Sequence, residues 1–265
     1  MKEDWDNLVI LDACRFDMFD EQNPIPGNLQ QRRSLGSDSW EFLQKNFAGG
    51  TFHNTVYVTA NPYATRLPEG TFHAVVDLLD DEWDPEQRTV LPETVVAAAR
   101  EAFEHYPDKR LIIHFMQPHY PFIGAAGDRL EHTGLARPDG DERADNKRHI
   151  WGSLRHGRAR KEDVTDAYRE NLNIVLPHVE TLLESLSGKS VVSADHGNLL
   201  GERTSPLPVR GYGHPRGLNS TPLRTVPWLV VEGTDRRSVV AEPPVETAGP
   251  SERVVEQRLE ALGYR

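Results

Sequence analysis

Asn7-Leu8-Val9-Ile10-Leu11, followed at once by Asp12, is the stretch on which the fold turns. It is too short for a helix, and its β-branched Val9 and Ile10 suit a buried parallel strand whose polar end is a candidate site edge. The same pattern recurs outward from it: Thr55-Val56-Tyr57-Val58-Thr59, stopped by Asn61-Pro62; Ala74-Val75-Val76, before an acidic loop; Leu111 to Met116; and Ser190-Val191-Val192-Ser193-Ala194. Helical segments fall between them. Ser39 to Phe47 is one, and Pro92 to Tyr106 is another, with Pro92 and Glu93 suited to a first turn and Pro107 beyond the end. Glu162 to Leu186 carries Tyr168, Leu172, Val175, Val179 and Leu182 on one face, before the stop at Ser187-Gly188. Val226 to Val231 predicts a last strand, placed by its Pro227 at an edge or a bulge, and Ser251 to Leu262 a closing amphipathic helix. Strands alternating with helices predict an α/β sandwich with a largely parallel central sheet, in which ligands gather at the carboxyl ends of the strands.

The 265 residues fit one domain spanning 1–265, with a loop-rich excursion at about 124–160 and a turn-rich loop from Gly197 to Asn219. Mean hydropathy is −0.58 and no apolar run approaches the roughly 20 residues of a membrane span, so no transmembrane segment is expected. No signal peptide is read at the N-terminus, which favours a cytoplasmic location. With 41 acidic against 30 basic residues the net charge is −11, which disfavours binding of nucleic acid through its phosphates. Such acidity also fits a halophilic source, although many cytosolic proteins share it. The lone Cys14 excludes an intrachain disulfide framework and a cysteine-rich metal site. Nothing in the sequence indicates the oligomeric state.

Three polar groups follow strands directly: Asp12, His119 in Gln117-Pro118-His119-Tyr120-Pro121-Phe122, and Asp195-His196. Carboxylates together with imidazoles suit zinc, manganese or iron, whereas an all-carboxylate set leans to magnesium or calcium. Each also has a structural reading. Asp12 is placed to cap a helix, Asp195-His196-Gly197 to form a turn, and His119 to be a surface loop histidine. No G-x-S-x-G nucleophile elbow supports a metal-free serine hydrolase.

Taken in order, LVILDACRFD, GSDSWEFL, HFMQPHYPF, VVSADHGNLLGE and GYGHP, spanning Leu8 to Pro215, resemble the alkaline phosphatase superfamily, in particular its sulfatase-like branch with many small archaeal members. The resemblance implies an alkaline-phosphatase-like three-layer sandwich. It implies a divalent metal, zinc or manganese first and magnesium or calcium as alternatives, with Asp12, Asp195 and His196 as ligands and His214 as a residue touching metal or substrate. It places the nucleophile at the start of a helix, where Ser39 fits best and Ser37 is the rival. Both serines are also placed for capping, with Ser37 or Asp38 at the N-cap and Glu41 close to a capping box. His119 matches a histidine near the leaving-group oxygen. Arg15 is placed either to bind an anionic oxygen or to pair with Asp17 or Asp20. The implied activity is hydrolysis of phosphate or sulfate esters. Alternatives are a phosphodiesterase or phosphoglycerol transferase acting on lipid or glycan head groups, or a binding protein that kept the fold and lost the metal set. Cys14-Arg15-Phe16-Asp17 lacks the pattern that matures to formylglycine, and neither a second carboxylate beside Asp12 nor a two-zinc set is visible.

Overall fold

The computed structural model describes residues 3–79, 82–130, 150–205, 208–233 and 235–245. In chain order the elements are β1 (Asn7–Leu11), α1 (Phe16–Gln22), β2 (Asn28–Arg33), α2 (Ser39–Phe47), β3 (Phe52–Thr59), β4 (Phe72–Asp77), α3 (Pro92–His105) and β5 (Arg110–Phe115). They continue as α4 (Ala125–Asp128), α5 (Ile150–Arg155), α6 (Lys161–Ser185), β6 (Ser190–Ser193), β7 (Leu199–Arg203), β8 (Arg210–Gly213), α7 (Thr221–Arg224) and β9 (Thr225–Val231). The main sheet has seven strands in the order β2-β9-β6-β1-β5-β3-β4. Its five strands from β6 to β4 run parallel; β9 pairs antiparallel with β6, and β2 pairs antiparallel with β9.

Strand alternation divides the apolar residues between two layers. Val9 and Leu11 of β1, Leu111, Ile113 and Phe115 of β5, and Val192 of β6 face α1, α3 and α6. Leu8, Ile10, Ile112 and Val191 face the other way, against Leu43 and Phe47 of α2. Each such side chain, taken fully out of water, contributes about 1.5–3 kcal/mol before chain entropy is charged against it. The central strands are therefore apolar on both faces, as parallel strands covered by helices must be.

Three expectations are corrected. β9 is not an edge: it lies between β2 and β6, with Pro227 opposite Gln31 and its carbonyl accepting the Ser193 hydroxyl at 2.8 Å. The edge strand on that side is β2, Asn-Leu-Gln-Gln-Arg-Arg, largely exposed and charged, a composition that discourages pairing with another sheet edge and gives no apolar alternation to read. The turn-rich loop after Gly197 contains a two-stranded antiparallel ribbon, with Leu199 opposite Gly213 and Leu200 opposite Tyr212. Within the excursion, α4 and α5 are helical, and Ile150, Trp151 and Leu154 of α5 are buried in the main core. Residues 131–149 and the expected helix at Ser251–Leu262 lie outside the described residues.

Candidate metal centre

Because β6, β1, β5 and β3 are parallel, the segments that follow them emerge on one rim. Asp12 leaves β1 with its N–H on the Phe115 carbonyl (3.1 Å). Ala13 then takes a left-handed backbone, φ 59°, and points its N–H at Asp195 Oδ1 (2.9 Å). That carboxylate oxygen also accepts the His196 N–H at 2.8 Å, so the two strand ends are tied to each other through Asp195. The Ser34 hydroxyl donates to the Asp195 carbonyl from the loop before α2. Gly197 is required at its place, since a Cβ there would lie 2.1 Å from the Pro222 carbonyl oxygen.

Asp12, Asp195 and His196 are fully buried and offer three donor atoms within 4.8 Å of one another. His196 Nε2 lies 3.7 Å from Asp12 Oδ1 and 3.5 Å from Asp195 Oδ2. Neither of these carboxylate oxygens has a hydrogen-bond partner. His196 Nδ1 donates to the Gly197 carbonyl at 2.8 Å, which leaves the Nε2 lone pair directed at the same space. Burial disfavours charge on both carboxylates. For Asp12 this is outweighed by the neighbouring imidazoles of His114, His119 and His196, which hold its pKa at about 2. Burial and the facing Asp12 charge push Asp195 upward. Burial opposes a proton on His196, but Asp195 and Asp12 outweigh it and raise its pKa. A buried anionic pocket with orphaned oxygens calls for positive charge, and two carboxylates with one imidazole fit a divalent cation.

Ser39, the first residue of α2, joins this group. Its hydroxyl donates to Asp12 Oδ2 at 3.2 Å and lies 3.3 Å from His196 Nε2. Asp38 caps the helix by accepting the Glu41 N–H at 2.7 Å. Ser37 is turned elsewhere: its hydroxyl bonds Glu41 Oε2 (2.7 Å) and its N–H the same oxygen (2.8 Å). His119 is fully buried, with Nδ1 on the Tyr120 carbonyl. Asn171 of α6 fixes its loop by donating to the Pro118, His119 and Pro121 carbonyls at 3.0–3.3 Å.

Two further expected residues stand beside this group. His214 is not in the ligand group among the described residues; its Nδ1 meets Asn198 Oδ1 at 2.9 Å, and its ring lies between those of His196 (4.8 Å) and His119 (5.0 Å). Gly213 before it, φ 69°, packs against the Trp151 ring, which sets the approach of that segment. Arg15 follows the ion-pair reading: it is bound by both oxygens of Asp17, by Glu202 and by the Asn198 carbonyl, with no pairing to Asp20. Cys14 is buried, and burial together with Asp17 and Asp195 keeps its thiol protonated.

Sequence reasoning missed Asn61 and His114. Asn61 follows β3 and donates Nδ2–H to Asp12 Oδ2 at 2.6 Å, its Oδ1 fixed by the Tyr63 N–H. His114, in β5, places Nε2 3.5 Å from Asp12 Oδ2. The available signals were strand-end position for Asn61, masked by its reading as an Asn-Pro turn, and a lone imidazole in an apolar strand for His114.

No protein-family model matches the chain, and no curated protein matches it significantly. Solved structures do. The soluble domain of lipooligosaccharide phosphoethanolamine transferase A from Neisseria meningitidis matches with a TM-score of 0.54 at 13% identity, over 84% of this chain and 75% of that domain. Against the whole integral membrane protein the chain spans 47% of its length. The C-terminal periplasmic domain of EcEptC from Escherichia coli, in complex with Zn, matches at 0.51 and 14% identity, over 86% of this chain and 72% of that one. A protein described as a sulfatase from Bacteroides thetaiotaomicron gives 0.51 at 12% identity, over 97% and 70%. The fold is thus shared with these transferase and sulfatase structures, and it is the α/β sandwich with a largely parallel central sheet that the sequence led us to expect. No helix among the described residues is long and apolar enough to cross a membrane.

Proposed function

We propose that the chain is a metal-dependent hydrolase of phosphate or sulfate esters that works through a covalent Ser39 ester. The observation that carries this reading is the Ser39 hydroxyl, 3.2 Å from Asp12 and 3.3 Å from His196, at a helix N-terminus that opens onto the buried ligand group. Asp12 Oδ1, Asp195 Oδ2 and His196 Nε2 would hold the ion. Bound there, a divalent cation supplies Lewis acidity that eases loss of the hydroxyl proton and offsets charge on the transferred group. The zinc in EcEptC, which shares this fold, supports zinc first among the candidates.

Ser39 Oγ forms the bond to phosphorus or sulfur while the ester oxygen departs, and the proton lost by Ser39 ends on that oxygen, which leaves as the alcohol. The N–H groups at the start of α2 stabilise the anionic oxygens of the transferred group. His119 is suited to accept a proton: burial lowers its pKa, so the neutral ring predominates at pH 7, and Nδ1 is committed to the Tyr120 carbonyl. In the second half it takes the proton of the water that cleaves the Ser39 ester, and that proton is then returned to the freed Ser39 Oγ. The same step with an alcohol in place of water gives a transferase. That second reading is favoured by the phosphoethanolamine transferases among the structures that share the fold.

Purified protein loaded with zinc or manganese and offered aryl phosphate, aryl phosphodiester and aryl sulfate should release phenol from at least one, with acceleration by glycerol if transfer is the natural reaction. Ser39→Ala should lower kcat by about a thousandfold or more, while Ser37→Ala retains most of it. Equal loss in both variants, or full activity in Ser39→Ala, would remove Ser39 from the role.

A further inference from the structure

We infer, on the metal reading above, that His114 held by Tyr57 is a positioning residue that keeps Asp12 and Asp195 ready for one cation and occupies the ground a second would need. His114 is fully buried in β5, on the same face of the strand as Ile112. Its ring lies parallel to that of Tyr57, 7° between planes, and Tyr57 Oη is 2.7 Å from Nδ1. Nε2 faces two carboxylates, Asp12 Oδ2 at 3.5 Å and Asp195 Oδ2 at 3.9 Å.

Ionised carboxylate oxygens only accept, so Nε2 carries the ring hydrogen, and the Tyr57 hydroxyl must donate to the Nδ1 lone pair. Both Nε2 separations exceed a closed hydrogen bond, so the N–H faces both acids without bonding either, and its dipole offsets their mutual repulsion in a dry site. His114 is also outside the group of donors lying within 4.8 Å of one another among the described residues. It stands beside the ion site and not in it.

The consequence is a division of labour on Asp12. Its Oδ2 faces three donors, Asn61 Nδ2, Ser39 Oγ and the His114 ring, while Oδ1 has no hydrogen-bond partner and faces His196. Asp12 is therefore presented through one oxygen, which suits one ion. A second ion bridged by Oδ2 would have to displace all three donors.

The test is zinc and manganese stoichiometry and affinity, by elemental analysis and chelator competition, for the wild type, Tyr57→Phe, His114→Leu and His114→Gln. The wild type should bind one ion per chain. Tyr57→Phe and His114→Leu should each weaken affinity by roughly 10–100-fold at unchanged stoichiometry, and His114→Gln, which keeps an N–H donor, should recover part of the loss. Tyr57→Phe leaves the imidazole in place and gives the same readout should His114→Leu fold poorly. Two ions per wild-type chain, or wild-type affinity in both Tyr57→Phe and His114→Leu, would overturn the assignment alone. A wild type that binds no ion would overturn the proposed function and this role with it.

Discussion

Ser37 and Ser39 are two residues apart and chemically alike, yet only one hydroxyl reaches Asp12. Helix geometry decides it: Asp38 takes the N-cap, which turns Ser39 inward on the first helical position and leaves Ser37 outside, bonded to Glu41. Glu41 in turn carries a pH signature. Burial raises its pKa, but hydrogen bonds from Lys45 and from Ser37 outweigh that and hold it at about 2, against the ordinary 4.5. A depressed acid contributes stability that is full above its unfolded value and is lost as pH falls through its folded one. Glu41→Gln should therefore cost roughly 1–2 kcal/mol at neutral pH in urea unfolding, with the gap to wild type shrinking below pH 4.5 and closing near pH 2. A gap that is constant with pH would mean that Glu41 acts through packing and not through charge.

Elements differ in how openly their sequences announce them. β1, β3, β5 and β6 are apolar runs because both their faces are covered, and the polar residue ending such a run is conspicuous; Asp12 and Asp195-His196 were legible for that reason. β2 was not, since an exposed edge strand needs no apolar alternation, and β7 with β8 read as turns because the glycines within them and the prolines between them hide a short ribbon. His114 and Asn61 were illegible as site residues because their roles depend on Tyr57 and on Asp12, which only the parallel register brings near. The glycine of Asp195-His196-Gly197 was read as a turn residue, but its necessity comes from α7 packing: Gly197 N–H donates to the Leu223 carbonyl at 2.8 Å, and the Pro222 carbonyl fills the space of a side chain. Gly197→Ala should destabilise by about 2 kcal/mol or more, a fall in Tm of several degrees by calorimetry, and should weaken metal binding by shifting His196. An unchanged Tm would show that α7 yields freely and positions nothing.

Across the molecule, two apolar layers clamp a parallel sheet whose carboxyl rim gathers an anionic, dry pocket in an already acidic chain. Such a pocket is costly without positive charge, and metal binding returns that cost as stability through linkage. On the proposed function, Asp12, Asp195 and His196 bind one divalent ion beside Ser39. Anomalous diffraction from crystals grown with zinc or manganese would locate that ion. One strong peak is expected about 2.0–2.2 Å from a carboxylate oxygen of Asp12, one of Asp195 and Nε2 of His196. Featureless density among those three atoms in crystals of folded protein, or ions bound only elsewhere, would contradict that reading.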